Sequence, residues 1–96
     1  MGKDQIIQLL KADKEQLKKK FHFTEIGLFG SIVRGEGKEN SDIDVLVDFN
    51  EDADIFDLVG LSLFLEEKFK QKVDVVPRRA LRNEIEAGVL KDLISV

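Results

Sequence analysis

The stretch Gly30-Ser31-Ile32-Val33-Arg34-Gly35, followed after a short gap by Ser41-Asp42-Ile43-Asp44-Val45-Leu46-Val47-Asp48-Phe49, decides how this chain is read. It has the pattern of a strand delivering a glycine turn, a short helix, and then a second strand with two carboxylates one residue apart. Side chains alternate along a strand, so Asp42 and Asp44 project from one face, roughly 6 to 7 Å apart at Cα, with Ile43, Val45, Val47 and Phe49 on the other. Like charges this close resist ionising together unless a cation lies between them. A hard oxygen-liganded ion such as Mg2+ meets that need, and Mg2+ is commonly bound together with substrate phosphates. The turn points the same way. Glycine permits a positive φ or a close backbone approach, Ser31 offers a hydroxyl, and free N–H groups at the start of a helix attract phosphate. A glycine-serine turn alone is usually only a loop, and a lone Asp-x-Asp is often solvated; the two in this order are more specific. A Walker A loop is excluded, because no Gly-Lys-Ser/Thr follows at the required spacing.

A later strand, Lys72 to Pro77, carries one further acid, Asp74. Val73 and Val75 face one way, Asp74 and Val76 the other. A buried unpaired carboxylate is costly, so Asp74 belongs either at an exposed edge or beside a cation.

Gly30-Ser31-x-x-Arg34-Gly35, a gap, and Ser41-Asp42-Ile43-Asp44 before an apolar strand together resemble the signature of the nucleotidyltransferase superfamily that includes DNA polymerase beta. Length and the run Leu46-Val47-Asp48-Phe49 point to its smallest members, the minimal nucleotidyltransferases often paired with HEPN-domain toxins. The resemblance implies an α+β fold, a small central mixed sheet of three or four strands with helices packed on it, in a single domain over residues 1–96. It implies Asp42, Asp44 and Asp74 as a catalytic triad holding two Mg2+ ions, and Gly30, Ser31 and Arg34 as the seat of the ATP phosphates. It further implies transfer of AMP to a hydroxyl, a tyrosine of a HEPN toxin, which silences the toxin. Self-modification lies close to that reading. The competing class is a non-catalytic binding module that neutralises a partner by contact. A nucleotidyltransferase acting on a small molecule such as an aminoglycoside would need an acceptor domain for which 96 residues leave no room.

Composition bounds these readings. Hydrophobic residues make up 43% and charged residues 35% of the chain, which describes a globular rather than a disordered protein. There is no cysteine, so disulfides and thiolate metal sites are excluded. The N-terminus has no signal-peptide core and no apolar run reaches the roughly 18 to 20 residues of a membrane span, so a cytoplasmic location is expected. The net charge of −4 is unevenly spread: +3 over residues 1–20, −8 over 24–60 and +1 over 61–96. An acidic middle repels a nucleic-acid backbone, which argues against a broad DNA-binding surface and for a metal site or a basic protein partner. Specificity in so short a chain is expected to come from a partner, from self-association into a homo-oligomer, or scarcely to exist.

Along the chain, Ile6, Leu10, Leu17 and Phe21 predict an amphipathic helix from Asp4 to Phe21, interrupted at Asp13-Lys14. Lys18-Lys19-Lys20 suits its C-terminal dipole. His22, the single histidine, has no partner His or Cys and reads as structural. Thr24 to Phe29 is a short strand. Residues 35–40 form a polar loop. Arg34 is open to two readings, a phosphate contact or an ion pair with the acidic strand. Asp54 is an N-cap for a helix Ile55 to Lys70 that buries Leu58, Leu61, Leu65 and Phe69, widened by Val59 and Phe64, with Gly60 marking close packing on the sheet. Arg78, Arg79 and Arg82 begin a helix running to about Gly88, with Leu81, Ile85 and Val89 on one face. Cations at a helix start oppose its dipole, and these arginines could serve nucleotide or partner. The end, Leu90 to Val96, is left open between helix and strand.

Overall fold

Helix α1 (Lys3–Phe21) packs on a sheet whose first strand, β1 (Phe23–Phe29), follows it after a single left-handed residue, His22 with φ 57°. The chain continues through β2 (Ile43–Phe49), helix α2 (Ile55–Phe69), β3 (Val73–Pro77), a 3-10 turn (Arg78–Ala80), helix α3 (Asn83–Asp92) and a two-residue β4 (Ile94–Ser95). The computed structural model describes residues 2–36 and 41–96. The four strands lie in the order β3-β2-β1-β4; β2 and β3 are parallel, joined through α2, and the other pairs are antiparallel. This is the expected mixed α+β sheet.

The core follows from the period of each element. Ile6, Leu10, Leu17 and Phe21 form the buried stripe of α1, and Leu61, Leu65 and Phe69 that of α2. Both stripes meet the odd-numbered residues of β2, of which Ile43, Val45 and Val47 are fully buried, together with Ile26, Leu28, Val73 and Val75. The gap in the α1 stripe is filled by a tertiary ion pair and a tertiary hydrogen bond: Asp13 meets Lys68 of α2, and Lys14 Nζ donates to the Val96 carbonyl at 2.9 Å. Asp54 caps α2 as expected, its side chain accepting from the Asp57 N–H at 3.1 Å. The C-terminal lysines of α1 lie where the dipole favours them, and Lys20 also sits over the rings of Phe21 and Phe64 at 5.5 and 5.9 Å.

Four expectations are corrected. The short helix after Gly30 is a single hydrogen-bonded turn, with the N–H groups of Val33 and Arg34 both donating to the Gly30 carbonyl. Gly60 packs on α1 rather than on the sheet, because a Cβ there would lie 2.7 Å from Cε1 of Phe21. Val59 does not widen the buried face of α2: with Ile55, Phe56 and Leu63 it forms an exposed apolar outer face. The arginines do not begin a helix. Residues 78–80 form the 3-10 turn, Arg82 is the extended residue before α3, and the first turn of α3 carries Glu84 and Glu86, which suit its dipole. The end resolves into the last turn of α3 and β4. Of the polar loop expected over 35–40, residues 37–40 lie outside the described residues. No helix among the described residues is long and apolar enough to cross a membrane.

Candidate active site

Asp44 is the second residue of β2 and Asp74 the second of β3, and the parallel register pairs them directly, as it pairs Val45 with Val75 behind them. Adjacent strands lie about 4.8 Å apart, so the two carboxylates rise side by side from the face turned away from α1 and α2. Asp42 immediately precedes β2 and is exposed; alternation places it on the same side as Asp44. The pKa of Asp44 is raised, first by burial and then by the charges of Asp74 and Asp42, while Arg34 partly opposes the shift. The charges of Asp74 and Asp42 are thus both felt at Asp44. Among the described residues, no group of three or more His, Cys, Asp or Glu side chains stands close enough to clasp a metal ion. Asp44 and Asp74 are register-paired, and a divalent cation between them would relieve the part of the Asp44 shift that comes from repulsion. The donor set, all carboxylate oxygen, suits a hard ion of the Mg2+ type.

The β1 end of the site explains the glycine. Phe29 pairs with Asp44 across the antiparallel ladder, and Gly30 follows with φ +81°. A Cβ at Gly30 would run into the Asp44 carboxylate. Glycine is required here twice over, for the left-handed backbone and for room. Ser31 follows half-buried, and its carbonyl accepts from the Glu36 N–H at 2.9 Å. With only one turn after Gly30, the corner has no helix dipole to offer a phosphate. What it offers is Gly30 without a side chain, the Ser31 hydroxyl and Arg34.

Arg34 pairs with neither Asp42 nor Asp44. Its Nη1 donates to Asp92 Oδ2 at 2.6 Å and its Nε to Glu36 Oε2 at 3.0 Å, and these two bonds raise its pKa further. Asp92 belongs to the last turn of α3, so the pair ties that helix to the glycine corner. Between them opens a cleft of about 510 Å3 lined by Phe29, Gly30, Arg34, Ile85, Val89 and Lys91 among others. That is the size of a small-molecule site. The α3 wall was not read from sequence: Ile85 and Val89 look like core residues, yet Ile85 is 53% exposed at the cleft. The available signal was Asp92, an acid at the helix end that repels it.

The arginines of the 78–82 segment stand apart from the carboxylates, beyond the opposite end of β3. Arg79 Nη2 donates to the Phe49 carbonyl at 3.0 Å, closing the end of β2. Arg78 lines a small cavity with Glu25 and Asp48. His22 has the structural role expected of it, with Nδ1 3.0 Å from Asp57 Oδ1.

A sequence model of the nucleotidyltransferase domain matches residues 10–96 of this chain. The chain belongs to the nucleotidyltransferase domain family. It is 40% identical over 93 residues to the protein adenylyltransferase MntA of Thermococcus cleftensis, covering 97% of this chain and 94% of that protein. A solved structure described as a minimal nucleotidyltransferase superposes with a TM-score of 0.78 at 31% identity, covering 100% of this chain and 97% of the other. The MNT antitoxin in complex with a tri-AMPylated HEPN toxin of Shewanella oneidensis shares the fold, with a TM-score of 0.65 at 22% identity over 92% of this chain and 69% of that one. The superfamily signature read from Gly30 to Asp44 thus belongs to a nucleotidyltransferase whose relatives include protein adenylyltransferases.

Proposed function

We propose that this nucleotidyltransferase transfers AMP from ATP to a tyrosine hydroxyl of a HEPN-domain toxin and thereby acts as its antitoxin. The observation that carries the reading is the register pairing of Asp44 with Asp74 beside a glycine corner that leaves room for nothing larger than hydrogen. The adenylyltransferase relative and the AMPylated toxin bound by a fold relative support the choice of acceptor class.

In this reading residues 1–96 form one catalytic unit. Asp42 and Asp44 would hold two Mg2+ ions, with Asp74 sharing the ion on the acceptor side. Bound there, the ions supply charge neutralisation on the phosphates and on the entering oxygen. Gly30 lets the triphosphate approach the backbone, Ser31 donates its hydroxyl, and Arg34 offers N–H groups to the β and γ phosphates. The acceptor oxygen bonds to the α-phosphorus as the bond to pyrophosphate breaks in line, and the hydroxyl proton leaves on the side of Asp74. Positioning and electrostatics do most of the work in such a transfer.

A second reading, a binding module that masks its partner by contact, draws on the exposed apolar outer face of α2. One variant separates the two. Asp44→Asn should lose label transfer from α-labelled ATP to the partner, down to the level without enzyme, while keeping fold and partner binding. If Asp44→Asn protects against the toxin as well as the parent protein does, contact alone suffices and transfer is not the function.

A further inference from the structure

We infer that Asp92 is the positioning residue for Arg34, holding its guanidinium at the mouth of the cleft so that it meets a triphosphate already oriented. This rests on the nucleotidyl-transfer reading of the glycine corner, which the cleft shares through Gly30 and Arg34, and adds to it a residue 58 positions away in sequence.

The case begins with placement. Among the described residues, Arg34 leaves a turn held by backbone bonds to Gly30 and Ser31, and its long side chain is rich in rotamer entropy when free. Asp92 reaches it from the far wall. A carboxylate in the last turn of a helix faces the negative end of the dipole, an unfavourable position. Within α3 nothing recommends an acid there, since Lys91 beside it already has the favourable sign. The cation that offsets it is Arg34.

The ordinary alternative is a surface ion pair that contributes little and has no further consequence. Two features set this pair apart. The Asp92 side chain is only 19% exposed while that of Arg34 is 45% exposed, so the buried partner is the anchor and the exposed one the presented group. The donors also divide in a useful way. A guanidinium has five N–H groups; among the described residues Nε–H goes to Glu36 and one on Nη1 to Asp92, and the others can face a ligand. Glu36, whose side chain is 63% exposed, is the contact that an arriving phosphate would displace. Asp92 would stay.

Isothermal titration of the full chain with ATP or with AMP, each in Mg2+, tests this without an acceptor protein. D92N should weaken ATP binding about tenfold and AMP binding less than about twofold, because Arg34 serves the phosphates that AMP lacks. D92E should restore ATP affinity to within about threefold of the parent, and the Nε–H of Arg34 should exchange faster with solvent in D92N alone, as seen by NMR. ATP binding unchanged in D92N, or ATP and AMP weakened equally, would overturn the role of Asp92 while leaving nucleotide binding intact. A parent protein that binds neither nucleotide would overturn the nucleotidyl-transfer reading, and the role with it.

Discussion

Alternate residues of β2 look into two different environments. Ile43, Val45 and Val47 are fully buried between the sheet and the helices α1 and α2, and each such side chain contributes about 1.5 to 3 kcal/mol relative to exposure. One residue along, Asp44 is half-buried beside Asp74, with Asp42 close enough to be felt, and burial together with these two charges makes Asp44 harder to ionise. β3 repeats the contrast with Val73 and Val75 against Asp74. The difference shows why a charge cluster can persist in so small a protein. The apolar face supplies stability in excess, and the carboxylate face draws on it.

The comparison is broken most directly from the apolar side. Leu65 is fully buried within the core cluster, and Leu65→Ala should lower the unfolding free energy by about 2 to 5 kcal/mol in urea titration. A loss under about 1 kcal/mol would show that the helix-covered face is not the source of stability. From the other side, Asp44→Asn should raise the thermal midpoint at pH 7. Asp44 is held above its ordinary value, so the native state keeps this proton to higher pH than the unfolded chain does. Stability therefore falls as pH rises through that window, and ionised Asp44 remains a cost at neutral pH. The advantage of Asp44→Asn should vanish near pH 3, and added Mg2+ should raise the midpoint of the parent but not of the variant.

Smaller effects sharpen the picture. Ala at position 60 gains up to about 1 kcal/mol of helix propensity but overpacks against Phe21, at about 1 to 3 kcal/mol, so Gly60→Ala should be neutral to mildly destabilising by chemical denaturation. A stabilised variant would mean that Phe21 yields. The smallest effect is expected at His22, whose pKa is raised chiefly by its hydrogen bond to Asp57. That contribution is fully present below 6.5 and is lost as pH rises through the folded value. His22→Ala should cost more stability at pH 6 than at pH 9.

Much of this was legible from local pattern. Apolar period placed α1, β1, β2, α2 and β3, and alternation alone put Asp42 and Asp44 on one side of their strand. Two segments misled, the first because a tertiary partner decided it and the second because a local turn did. Arg78, Arg79 and Arg82 look like a badly charged helix start; Arg79 is instead spent on the carbonyl of Phe49, and the helix begins where Glu84 and Glu86 suit its dipole. After Gly30 a helix pattern stops at one turn, closed by the Glu36 N–H on the Ser31 carbonyl. The pairing of Arg34 with Asp92 spans 58 residues and leaves no periodic trace. Asp13-Lys14 looks like a flaw in a stripe until Lys68 and the last carbonyl of the chain are brought to it.

The outer face of α2 has a consequence for how that helix finds its seat. With Ile55, Phe56, Val59 and Leu63 exposed on one side and Leu61, Leu65 and Phe69 buried on the other, greasiness alone barely distinguishes inward from outward. Its rotation is pinned by point contacts: Gly60 against the ring of Phe21, Asp57 on His22, and the Glu66 carboxylate on the Val73 N–H. A helix keyed this way can roll when its pins are removed, so a double change at Asp57 and Glu66 should broaden the methyl resonances of Leu61 and Leu65 before it unfolds the chain.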